Sequence, residues 1–62
     1  MTPAEMIAKV KQTYTGAQQN FVLARLSLKA GFNVKKLTPD DDPQKAQRLS
    51  AAIKEICPEV SL

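Results

Sequence analysis

Three stretches of the 62-residue chain repeat apolar side chains at the spacing of a helix. In the first, Ile7, Val10 and Tyr14 recur three and four residues apart, with Met6 beside them and Lys9 and Gln12 opposite. Such a stripe predicts an amphipathic helix. Its start is written in Thr2-Pro3-Ala4-Glu5, which offers a capping hydroxyl, a proline at the first helical position and a carboxylate that can turn back to the cap. The helix is predicted over residues 3 to 14, and Gly16 ends or bends it. In the second stretch Thr15-Gly16-Ala17-Gln18 repeats the capping logic, with Gln18 placed to reach the backbone of Thr15, and predicts a helix over 17 to 30. Phe21, Ala24 and Leu28 form one row, Val22, Leu23, Leu26 and Ala30 fill the neighbouring positions, and Gln18, Arg25 and Lys29 are left for water. This is the expected central and most buried helix. Gly31 supplies the left-handed residue that stops it, and Phe32 can pack back on Leu26.

From Asn33 to Leu37 the apolar residues Val34 and Leu37 stand one helical turn apart behind a capping asparagine, so a single turn is expected rather than a strand. Asp42-Pro43 then starts a third helix with proline again at the first position. Ala46, Leu49, Ile53 and Ile56 repeat along it, and Pro58 forbids its continuation, so it is predicted over 43 to 57 with residues 58 to 62 as a frayed tail. The class is all-α: a small three-helix bundle with an irregular 31 to 42 connection. Residues 1 to 62 form one domain. A chain of this size hides only roughly 60% of the surface it exposes when unfolded, so a second copy is one way to gather enough apolar area.

Composition narrows the chemistry. With one cysteine and no histidine, intrachain disulfides and the usual zinc constellations are excluded. Gly16 and Gly31 are too far apart to form a phosphate-cradling loop. Neither a nucleophile with its base nor an acid–base pair stands out, so no enzymatic activity and no cofactor are expected. The Asp40-Asp41-Asp42 run lacks the alternation, the glycine and the distal glutamate of a calcium loop, and is expected to favour the start of the third helix instead. Cys57 lies beside Glu55 and Glu59 at a helix C-terminus, a setting that disfavours the thiolate. The apolar cluster Phe21-Val22-Leu23-Ala24 is closed by Arg25, which excludes a membrane span. The first residues lack the pattern of a signal peptide, and a lone thiol suits a reducing compartment, so a cytoplasmic location is expected.

The formal net charge is +3, unevenly spread: residues 1 to 38 sum to +5 and residues 39 to 62 to −2. Arg25 and Lys29 lie one helical turn apart, and Lys35 and Lys36 follow the glycine turn. Together these four are the candidate polyanion-binding patch, with phosphate contacts as its chemistry. Leu26, Ser27, Ala30, Gly31, Phe32 and Leu37 fall in a pattern that resembles the turn of a helix-turn-helix DNA reader. Two departures stand out: serine replaces the alanine usual at the tight helix contact, and Pro39 allows about one turn where a recognition helix needs two or more. The resemblance implies nucleic-acid binding as an alternative function. The leading expectation is a non-enzymatic protein-interaction or regulatory module, because the central helix is apolar over more of its circumference than two thin neighbours can cover. Its partner would be another protein or a second copy in a homodimer.

Overall fold

The computed structural model of the chain describes residues 1–37 and 43–62. It is an all-α bundle of three helices, α1 (Pro3–Thr13), α2 (Gly16–Ala30) and α3 (Pro43–Ile56), with one 3-10 turn at Val34–Lys36 between the last two. The largest interface joins α2 to α3, and α1 rests chiefly on α3. Between them, Val10, Leu23, Leu26, Val34, Leu49 and Ile53 are enclosed, and no charged side chain is buried among the described residues.

The start of α1 follows its local chemistry. The Thr2 N–H donates to Glu5 Oε1 at 3.0 Å and the Glu5 N–H donates to Thr2 Oγ1 at 3.2 Å, closing the capping box. The bonds with Thr2 hold the Glu5 carboxyl below the usual glutamate range, because they favour its charged form. The helix ends one residue sooner than expected. Tyr14 takes an extended backbone, although its N–H still donates to Val10 O at 2.9 Å.

Helix α2 begins at Gly16, whose φ of 63° is a left-handed value that suits glycine. The expected tie from Gln18 to Thr15 is replaced by another amide. Gln19 Nε2 donates to Lys11 O at 3.2 Å and to Tyr14 O at 3.0 Å, so it satisfies carbonyls at the end of α1 that the helix itself leaves open. Helix α3 starts at Pro43 as expected, while its expected Asp42 cap lies outside the described residues.

The expected frayed tail is a packed one. Val60 is buried, the Val60 N–H donates to Cys57 O at 3.1 Å, and Lys9 Nζ donates to Ser61 O at 3.2 Å. The Tyr14 hydroxyl donates to Glu59 Oε1. Pro58 does stop the helix, but the turn it starts folds Val60 back over Cys57 and the end of α1, where an apolar side chain is better placed than in water.

Candidate functional site

The candidate basic residues stand around the end of α2 and the turn after it. Gly31, at φ 86° and ψ 17°, closes the helix by donating its N–H to Ser27 O at 2.9 Å. Asn33 then caps the 3-10 turn, its Oδ1 accepting from the Lys35 N–H at 2.9 Å. Ser27 occupies the position where the helix-turn-helix pattern has alanine, and its hydroxyl has a structural use. Ser27 Oγ donates to Leu23 O at 3.0 Å and accepts the Val34 N–H at 3.1 Å, which ties the turn to α2 just where the Val34 side chain enters the core. Ser27→Ala should leave that N–H without its partner and lower unfolding stability by about 1–3 kcal/mol, read from urea denaturation. Unchanged stability would mean that the hydroxyl is dispensable.

The geometry divides the four candidate cations. Arg25 and Lys29 share an open groove of about 510 Å³ with Leu28 of α2 and Glu55 and Ile56 of α3. Lys29 Nζ lies 3.1 Å from Glu55 Oε2, an exposed ion pair that partly cancels the groove's positive charge. Pairs of this kind contribute about 0–1 kcal/mol to stability. Lys35 belongs to a different groove, with Lys11, Ala4, Ile7 and Ala8 of α1 and with Val34 and Leu37. Lys36 is exposed. The structure therefore brings Arg25 and Lys29 together and sets Lys35 toward α1. After the glycine turn, the element in the recognition-helix position is the three-residue Val34–Lys36 turn, which is too short to cross a major groove. Lys45 Nζ sits 5.5 Å from the centre of the Phe32 ring, so that aromatic side chain is used within the molecule.

A feature of α2 that the sequence pattern did not resolve lies on the other side of the helix. Of its two apolar sets, Val22, Leu23, Leu26 and Ala30 face the core, whereas Phe21 keeps 65% and Leu28 85% of its surface exposed. Ala17 and Ala24 are exposed in the same stripe. Both sets have helical periodicity, so periodicity could not say which one would be covered. No family model matches this chain, and no curated protein or solved structure matches it either.

The remaining candidates for chemistry are quieter. Cys57 is buried, and burial pushes its thiol above the usual range. Asp40-Asp41-Asp42 lies outside the described residues. Among the described residues, no helix is long and apolar enough to cross a membrane.

Proposed function

We propose that the chain is a non-enzymatic interaction module that binds a protein through the outward face of α2, in the cytoplasm, where a lone reduced thiol is at home. The observation that carries this reading is the exposure of Phe21 and Leu28 on one stripe, opposite the residues that build the core. Covering a side chain of this size gains about 1.5–3 kcal/mol, so the stripe is a ready source of binding energy. The competing reading, nucleic-acid binding through Arg25, Lys29, Lys35 and Lys36, has less support. Lys29 is paired with Glu55, and Lys35 lines a different groove from Arg25 and Lys29.

Photo-crosslinking tests the proposal. With benzoylphenylalanine in place of Phe21, irradiation in cells is expected to give protein adducts, while the same residue in place of the exposed Gln12 on α1 gives few. Equal adduct yields at both positions, or adducts to nucleic acid alone, would overturn it.

A further inference from the structure

We infer that the occupant of the outward face of α2 is a second copy of this chain, packed antiparallel about a two-fold axis with Phe21 of each copy set against Ala24 of the other. The inference rests on the interaction reading above and gives it a partner. Ala17, Phe21, Ala24 and Leu28 are spaced four, three and four residues apart, and all four are exposed. That is the spacing of a seam between two paired helices.

The order of sizes along the seam selects the direction of pairing. In the antiparallel register Ala17 faces Leu28 and Phe21 faces Ala24, so every layer holds one large and one small side chain. A two-fold contact repeats this match on both sides of its axis. Parallel pairing would stack Phe21 on Phe21 and Ala17 on Ala17, giving alternately crowded and empty layers, which close packing disfavours.

Charge fits the same arrangement. Arg25 comes to lie beside Gln18 of the second copy, so the two guanidinium groups do not face each other. The groove beside Leu28 holds Arg25 and Lys29 as well as Glu55, and Glu55 already pairs with Lys29, so the seam rests on its apolar layers.

Size sets the expected strength. A standard interface covers about 800 Å² per partner, roughly a fifth of the 4023 Å² surface of this chain. A seam of three turns covers less than that, so the dimer should be weak and concentration-dependent.

Sedimentation equilibrium from about 10 μM to about 1 mM is expected to show a mass rising from one chain toward two. Ala24→Glu, at an exposed helical position, should weaken association by about tenfold or more while leaving the melting temperature in dilute solution unchanged. For the register, Gln18→Cys and Arg25→Cys chains, each also carrying Cys57→Ala, are mixed and oxidised. Disulfides between position 18 of one copy and position 25 of the other should predominate. A monomer at every concentration, a dimer indifferent to Ala24→Glu, or cross-links only between like positions would each sink the inference. If the chain stays monomeric while Phe21-directed adducts to another protein persist, the second copy is ruled out and the interaction reading stands.

Discussion

Leu26→Ala is expected to bring the bundle close to its unfolding midpoint at room temperature, whereas Leu28→Ala, two residues along the same helix, should leave its stability in dilute solution unchanged. Leu26 is completely enclosed between α2 and its neighbours, and Leu28 is 85% exposed. Removing an enclosed leucine side chain costs about 3 to 5 kcal/mol, because the lost transfer energy is joined by that of the cavity left behind. A 62-residue domain has only about 3 to 9 kcal/mol of stability to lose. An exposed substitution away from caps and special backbone positions stays within about 0.5 kcal/mol. Urea denaturation of both variants followed by circular dichroism makes the comparison. Equal losses at the two positions would mean that Leu28 is covered within the monomer, and the outward stripe would lose its basis.

The second large effect concerns the last five residues. Ending the chain after Cys57 removes Val60 from the core, the hydroxyl contact between Tyr14 and Glu59, and the Lys9 bond to Ser61 O. Burying a valine side chain contributes about 1.5–3 kcal/mol and the part-buried Tyr14–Glu59 bond about 1 kcal/mol, the exposed Lys9 bond adding little, so a loss of about 2.5 to 4 kcal/mol is expected overall. The Cys57 thiol, 1% exposed in the intact molecule, should then react much faster with a thiol-specific reagent in the native state. A shortened chain that melted at the same temperature, with Cys57 still protected, would show that the tail is only loosely applied.

What was legible in the sequence was local. The capping box of Thr2 and Glu5, the proline starts of α1 and α3, the left-handed Gly31 and the Asn33 cap each depend on residues within one turn, and all stand where the sequence pattern set them. The features that escaped it depend on distant neighbours. Val60 and Leu62 are the only apolar residues after Pro58, too short a signal to set a helical period, and the burial of Val60 is decided by α1 and Cys57. The choice between the Phe21–Leu28 row and the Leu23–Leu26 row is made by where α3 lies. The four basic residues are close in sequence, but the turn at Gly31 sets Lys35 against α1 while Arg25 and Lys29 stay on α2. Gln19 acts where Gln18 was expected, because the carbonyls at the end of α1 were the acceptors left open.

The placement of α1 has a consequence for how the molecule is made. Its main support is α3, more than thirty positions later in the chain, and its last turn is held in addition by Glu59. Because α3 begins thirty residues after α1 ends, the apolar stripe of α1 gains its main cover only once α3 has been made. Closing a long loop costs entropy before its contacts repay it, so the docking of α1 on α3 carries more of that cost than the docking of α2, which lies nearer to α3 in the sequence.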